Sequence, residues 1–449
     1  MCFHPLSCSY FYILAEGPGR VKKNPAAEKR KAEWPWQDCG GLHLSGTKVL
    51  LFSRPAKWKE WTCLREIYFD NAATTRPFEQ VVHAMVRCLT EEYGNPSSLH
   101  RKGIQAENIL KESRKAVAEA LKANPSEILF TSGGTESNNT AIRGIARNYS
   151  NRGKHIISTK AEHPSVRMTL EDLKKDGFEI SYIDVDGYGA VDLDKLAQAV
   201  RKDTILVTLM AVNNETGCIQ PLEHIGKLVR EKNPLTFFHA DCIQAFMKIP
   251  LEVGKTGAQL ISISAHKFHG PKGVGALYCK RGINLRPWQT GGGQEMGLRS
   301  GTENLPGIAG MGKAVEIFSS HFREYTEKMA ALKQRIRDGI EKSIDDIRIN
   351  TPEGESGAPH ILSVSLRGVK GEVLLHALEK HGIYISTGSA CSSKQIKAAG
   401  VPEAIGLSKE EAEGTVRISL CPFNTIDEAD ILVDALATEV GFLRRISGR

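Results

Sequence analysis

The chain has 449 residues, with 59 Lys and Arg against 52 Asp and Glu for a formal net charge of +7, and is 41% hydrophobic and 25% charged. This is ordinary globular composition, which excludes a mainly disordered or collagen-like chain, and no run approaches the roughly 18 consecutive apolar residues of a membrane span. At about 150 residues per domain, the length accommodates two or three domains.

The basic excess is concentrated at the N-terminus. Residues 1–63 hold ten Lys and Arg against five acids, which is +5 of the +7, together with four of the five Trp and four of the ten Cys. The rest of the chain is near neutral, so composition predicts no direct nucleic-acid partner. Such a break places a boundary near residue 64. A secretory signal is disfavoured because Tyr10–Ala15 follows no basic stretch, and a mitochondrial transit peptide because five acids accompany three Arg. A nucleic-acid arm would rest on Lys29-Arg30-Lys31 alone. Residues 1–63 are therefore expected to be a disordered leader or a start assigned too far upstream. In the second case translation begins at Leu64, read from a TTG codon behind a Lys59-Glu60 stretch that could encode a ribosome-binding sequence.

From Ile67 onward, strand-like and helix-like segments alternate. Ile128–Thr131, His155–Thr159, Glu179–Ile183, Thr204–Met210, Phe237–Asp241, Leu260–Ser264 and Val274–Cys279 read as strands. Helical patterns occupy 77–92, the stretch from Glu136, 165–175 and 192–201. This alternation predicts βαβ units, an α/β fold with a parallel sheet between helices, and ligands beyond the strand C-termini. Past Gly310 the rhythm changes to a long helix over 312–345, strand His360–Leu366, helix 371–381, strands Ile383–Ser386 and Arg417–Leu420, and a helix over 426–443. The expected division is a leader (1–63), a large domain (64–310) whose first segments join or bridge to the small domain, and a smaller α+β domain (311–449) carrying a loop over 386–416. The Cys show no CxxC pair or regular spacing, which argues for reduced thiols in a cytosol-like compartment, without a disulfide framework or metal site.

Three segments carry chemistry. Thr131-Ser132-Gly133-Gly134-Thr135-Glu136-Ser137 follows a strand and opens a helix, where glycines permit close backbone approach and free N–H groups suit a phosphate. It is neither a Walker A loop nor GxGxxG. The apolar strand Phe237–Asp241 ends in a carboxylate, a sound partner for a pyridinium nitrogen. In Ser264-Ala265-His266-Lys267-Phe268-His269-Gly270-Pro271-Lys272-Gly273, a Lys follows a buried strand, where it can form a Schiff base with an aldehyde. Singly, each has a commoner structural reading as a turn, a cap or a solvated loop. Together they describe a site for pyridoxal 5′-phosphate (PLP).

With these segments in place, the chain resembles the fold-type I PLP enzymes of the aminotransferase class V group, and within it the cysteine desulfurases of NifS/IscS type. The resemblance covers about residues 67–441. It rests also on Tyr68-Phe69-Asp70-Asn71-Ala72-Ala73-Thr74-Thr75, Gly94-Asn95-Pro96-Ser97-Ser98, Ala161-Glu162-His163-Pro164, Asn213-Asn214-Glu215-Thr216-Gly217 and Arg299-Ser300-Gly301-Thr302-Glu303-Asn304. It implies a mainly parallel seven-stranded sheet in the large domain and a homodimer. It further implies that Lys267 carries PLP, that Asp241 pairs with the ring nitrogen and that Gln244 bonds the phenolic oxygen. Gly134, Thr135, Ser264 and His266 would bind the phosphate, with Thr302 reaching across from a partner subunit. His163 would stack on the ring and take part in proton transfer, while Asn214 and Arg417 hold the substrate carboxylate.

Ser386-Thr387-Gly388-Ser389-Ala390-Cys391-Ser392-Ser393 selects the reaction. A Cys in so small and flexible a context suits an exposed nucleophile, whereas burial as an inert thiol is the default for the other nine. Cys391 lies 26 residues before Arg417, the spacing of the long-loop desulfurases. The resemblance thus implies conversion of L-cysteine to L-alanine, with sulfur passed to Cys391 as a persulfide and on to an iron–sulfur scaffold or a tRNA-thiolation enzyme in the cytoplasm, with a mitochondrial location as the lesser alternative. A selenocysteine lyase or a class V aminotransferase are the rival readings. Ser419-Leu420-Cys421-Pro422-Phe423 departs from the common housekeeping pattern and adds a thiol near the site. The end at Phe442-Leu443-Arg444-Arg445 makes scaffold docking less firmly expected than the chemistry.

Overall fold

The computed structural model describes residues 37–44, 47–53, 66–287, 289–387 and 400–447. The chain divides into two units, Met1–Arg65 and Glu66–Arg449. In the first, Gln37–Leu44 pairs antiparallel with Thr47–Ser53, with an irregularity between Asp38 and Gly41, in a segment for which the sequence suggested no element.

The second unit is built on a seven-stranded sheet. Its order is Ile128–Thr131, Gly275–Cys279, Leu260–Ser264, Phe237–Asp241, Thr204–Met210, His155–Thr159, Glu179–Ile183. Gly275–Cys279 alone runs against its neighbours; the other pairings are parallel. Strands buried on both faces need apolar residues at successive positions, so they read as unbroken runs such as Thr204–Met210, all of it buried. Alternation then sorts side chains between two cores. Leu129, Ile156, Leu206, Leu260 and Leu277 pack with Ile142, Ile145, Val166 and Leu170 of the helices Gly134–Tyr149 and Pro164–Lys175. Phe130, Ile157, Val207, Phe238 and Ile261 belong to the core on the other face. Each fully buried Leu or Ile contributes roughly 1.5–3 kcal/mol, so the apolar runs dictate the sheet.

The predicted single helix over 312–345 is two helices, Leu305–Ser320 and Phe322–Ser343, broken at His321 (φ −120°, ψ 16°). The break follows from packing. The first helix lies against Glu79–Thr90 and Arg101–Leu121, while the second lies against the C-terminal helix Ile426–Ser447. One straight rod would not serve both. The boundary expected at 310 falls inside Leu305–Ser320. The predicted strand Ile383–Ser386 is likewise two pieces. Ile383–Tyr384 pairs parallel with Ile67–Tyr68, and Ser386–Thr387 joins the edge of a four-stranded antiparallel sheet beside Thr415–Ser419. The segment expected as a loop over 386–416 also contains the short helices Val401–Ala404 and Lys409–Glu413. Ile67–Asp70 thus sits among C-terminal elements, with Asp70 bridged to Ser419.

Candidate active site

Ile128–Thr131, His155–Thr159, Thr204–Met210, Phe237–Asp241 and Leu260–Ser264 all point the same way, and the segment after each carries a candidate residue. After the first, Gly133 adopts φ +152°, open only to glycine, and turns the chain into helix Gly134–Tyr149. A side chain at Gly134 would run into Ile243 Cδ1, and Ser264 Cβ lies 3.6 Å from that position. The helix start is therefore pressed against the segments following Asp241 and preceding Lys267. Gly134, Thr135 and Ser264 meet here, where the first N–H groups of a 16-residue helix can receive an anion.

Asp241, at its strand end, is 4% exposed. Its Oδ1 accepts the Ile243 N–H at 3.0 Å and its Oδ2 accepts from Asn138 Nδ2 at 2.7 Å. Burial raises its pKa, with His163 and Lys267 opposing. It is a carboxylate short of a cation, which the protonated nitrogen of a pyridine ring would supply. His163 caps helix Pro164–Lys175, its Nδ1 accepting the Ser165 N–H at 3.1 Å. Burial lowers the His163 pKa, against the pull of Asp241.

Lys267 ends a short 3-10 turn, Ala265–Lys267, directly after strand Leu260–Ser264. Its Nζ donates to the carbonyls of Ala72 (2.7 Å) and Ala73 (2.8 Å). Gln244 Nε2 donates to the same Ala72 carbonyl at 2.9 Å, and His360 Nε2 lies 3.3 Å from Gln244 Oε1. His266 joins the same strap: its Nδ1 lies 3.2 Å from Thr74 Oγ1 and its carbonyl accepts from Thr75. Burial, helped by Lys267 and Lys272, lowers the His266 pKa to about 4, so its ring is neutral near pH 7. The segment Ala72–Thr75 therefore clasps the lysine turn.

Arg417 is buried on strand Thr415–Ser419, opposite Ser386 in register. It donates to the Asn214 carbonyl (2.8 Å) and to Asp70 Oδ1 (2.9 Å), while its Nε and the Asn214 Oδ1 lack partners. An unsatisfied Nε–H on a buried arginine fork suits a carboxylate-bearing ligand. Thr302 is exposed in the single chain. Cys391 lies outside the described residues, four positions beyond Thr387. Thr387, the last residue described before it, pairs with Val416, next to Arg417.

The structure brings Gly134, Thr135, Ser264, Asp241, Gln244, His266 and Lys267 around one strand edge and places Asn214 with Arg417. Sequence reasoning missed Asn138, Ser165 and the roles of Asp70 and the Ala72 carbonyl. Asn138 carried one signal, in that it lies four residues after Gly134 and so shares its helix face. The five cysteines whose side chains are described, Cys88, Cys218, Cys242, Cys279 and Cys421, are free and mostly buried. Burial pushes all five thiols up, those of Cys218 and Cys279 to about 12.

Glu162, beside His163, is also fully buried. Its Oε1 accepts from Thr159 Oγ1 (3.0 Å) and the Met210 N–H (3.1 Å), and its Oε2 has no partner. Burial raises its pKa from 4.5 to about 8. Between those two values the folded protein holds a proton that the unfolded chain releases, so this group lowers stability as pH rises through the window. Glu162→Gln, which keeps the shape without the titration, is expected to flatten the decline in melting temperature from pH 5 to pH 8. Parallel curves for the two proteins would contradict this.

Comparison with known proteins shows the family. The aminotransferase class-V family matches residues 67–432. The chain is 43% identical over 383 residues to the cysteine desulfurase IscS of Dictyoglomus turgidum, covering 85% of this chain and 96% of the relative. A solved NifS-like protein superposes with a TM-score of 0.79 at 40% identity, covering 84% of this chain and 100% of that one. A structure described as SspA in complex with cysteine superposes with a TM-score of 0.69 at 35% identity, covering 80% and 99%. Among the described residues no helix is long and apolar enough to cross a membrane.

Proposed function

Because the chain belongs to the class-V aminotransferase family and is a PLP-dependent cysteine desulfurase acting on L-cysteine, we propose a division of labour among its own residues. The observation that carries it is the convergence of Lys267, Asp241 and the Gly134 helix start at one strand edge, with Arg417 anchored on the strand that flanks the Cys391 segment. When bound, PLP supplies an electron sink that stabilises negative charge at the substrate Cα. The helix start at Gly134 and Thr135, with Ser264 and His266, holds the phosphate. Asp241 would hold the ring nitrogen protonated, and Gln244 would bond the phenolic oxygen with the amide hydrogen that Ala72 leaves unused. Lys267 would anchor the cofactor, and its Nζ would take the substrate Cα proton. Arg417 and Asn214 orient the substrate carboxylate, and Asp70 keeps the guanidinium in place.

Cys391 takes the substrate sulfur and becomes a persulfide while L-alanine leaves. Sulfur then moves to an acceptor protein, an iron–sulfur scaffold or a tRNA-thiolation enzyme. A homodimer is supported by Val82, Val86 and Leu89, which recur at helical spacing on Glu79–Thr90 and remain 45–63% exposed, a stripe that a second copy would cover. Thr302 would then reach the partner's phosphate. The unpaired thiols suit a reducing, cytoplasmic setting.

The test is turnover of L-cysteine without any keto acid. Alanine is expected to accumulate, and Cys391 to gain one sulfur in peptide mass. Arg417→Lys, which cannot form the two-point fork, should raise KM for L-cysteine at least about tenfold. Alanine formation that requires a keto acid would indicate an aminotransferase instead.

A further inference from the structure

Asn138 and Ser165 stand between Asp241 and His163. Asn138 is fully buried on helix Gly134–Tyr149, and Ser165 lies two residues past His163 at 8% exposure. The Asn138 amide nitrogen has two hydrogens and two acceptors, Asp241 Oδ2 at 2.7 Å and Ser165 Oγ at 2.9 Å. Ser165 Oγ lies 2.8 Å from His163 Nδ1, and the Ser165 backbone N–H donates to that same nitrogen at 3.1 Å. The directions follow from donor count. A backbone N–H has no lone pair, so Nδ1 accepts and carries no proton. Since Ser165 Oγ already accepts from Asn138, its own hydrogen points to Nδ1. The ring proton of neutral His163 therefore sits on Nε2.

We propose that Asn138 and Ser165 are positioning residues that tie the Asp241 carboxylate to His163 and hold His163 as its Nε2–H tautomer. The consequence rests on the reading of the site given above. Nε2 presents a hydrogen-bond donor and no lone pair, and Nδ1 is occupied, so His163 cannot serve as the base. Proton abstraction then falls to Lys267, and the part expected for His163 narrows to hydrogen-bond donation from Nε2. Protonation of His163 would need a hydrogen on Nδ1, directed at the Ser165 backbone N–H, and would force the Ser165 hydroxyl hydrogen to turn away. The charged groups facing the ring divide. Asp241 favours the cation, whereas Lys267 and Arg167 oppose it along with burial.

The relay is tested on the PLP-loaded enzyme labelled with 15N-histidine. Long-range 1H–15N correlations are recorded near pH 7, and the His163 signals are identified by their loss in His163→Gln. The expected pattern is protonated Nε2 and unprotonated Nδ1. Ser165→Ala removes the hydroxyl while leaving the backbone N–H, and is expected to weaken the Nδ1 contact and shift the Nδ1 resonance. It should also lower kcat about fivefold to tenfold, the scale of one hydrogen bond, with KM for L-cysteine unchanged. Ser165→Thr should restore both. Asn138→Asp reverses the Ser165 hydroxyl, which then donates to the new carboxylate, and should move the Nδ1 resonance in the same way. A wild-type spectrum with a proton on Nδ1, or a Ser165→Ala enzyme unchanged in both spectrum and kcat, overturns the proposal. The expected spectra in a protein that does not convert L-cysteine would uphold the relay and refute the functional reading instead.

Discussion

Cys391→Ala is expected to yield a folded protein that binds PLP with an unaltered absorbance spectrum but forms no persulfide. Alanine production from L-cysteine should fall at least about a thousandfold, since a covalent route loses its nucleophile rather than a contact. Other thiols offer no replacement among the described residues. Cys88, Cys218, Cys242, Cys279 and Cys421 have their thiolates suppressed by burial. Even Cys421, the thiol added by the altered Ser419–Phe423 run, is 8% exposed. The measurement is peptide mass after brief exposure to L-cysteine, with alanine quantified in parallel. Normal desulfuration by the variant would remove Cys391 from the mechanism.

The second large effect is expected for Lys267→Ala. Wild-type protein treated with borohydride should carry the cofactor on the Lys267 peptide. The variant should carry none, release PLP on desalting, and lose activity by several orders of magnitude, because both the anchor and the base are gone. This result discriminates between lysines. Burial alone lowers an amine's pKa, and it does so for Lys248 and Lys333, each to about 8. Lys333 Nζ is bonded to the carbonyls of Gly357 and Ala358, and Lys248 is sealed over the Phe318 ring at 4.8 Å, with 3% exposure. Neither lies at the strand edge where Asp241 and Gly134 converge. A cofactor recovered on the Lys248 peptide would refute the assignment of Lys267.

The positions of these groups relative to one another come from long-range contacts. Asn138 meets Asp241 across 103 residues of chain, and Arg417 meets Asp70 across 347. The Ala72 carbonyl that receives both Lys267 and Gln244 lies on a strap whose strand partners are C-terminal. No local pattern records such meetings. The strap residues Ala72 and Ala73 have no side-chain chemistry of their own, and act through backbone oxygens.

The sequence by itself determined the sheet and its chemical edge. Phe237–Asp241, Leu260–Ser264 and Thr204–Met210 were readable to the residue because strands buried on both faces demand unbroken apolar runs, and the run stops where the polar ligand-bearing segment begins. The chemistry-bearing types, a lysine, a carboxylate and a glycine turn just past those runs, were legible for the same reason. Only the tertiary structure decided where helices break and strands change sheets. His321 carries no glycine or proline signal, and the continuous amphipathic pattern hid that its two halves face different neighbours. Ile383–Ser386 reads as one strand, yet Ile383–Tyr384 pairs with Ile67–Tyr68 and Ser386 begins a piece paired with Thr415–Ser419. The network from Asp241 through Asn138 and Ser165 to His163 was equally invisible. Buried hydrogen-bond direction depends on which donors and acceptors the folded chain brings within about 3 Å, a matter of three-dimensional packing that residue order does not carry.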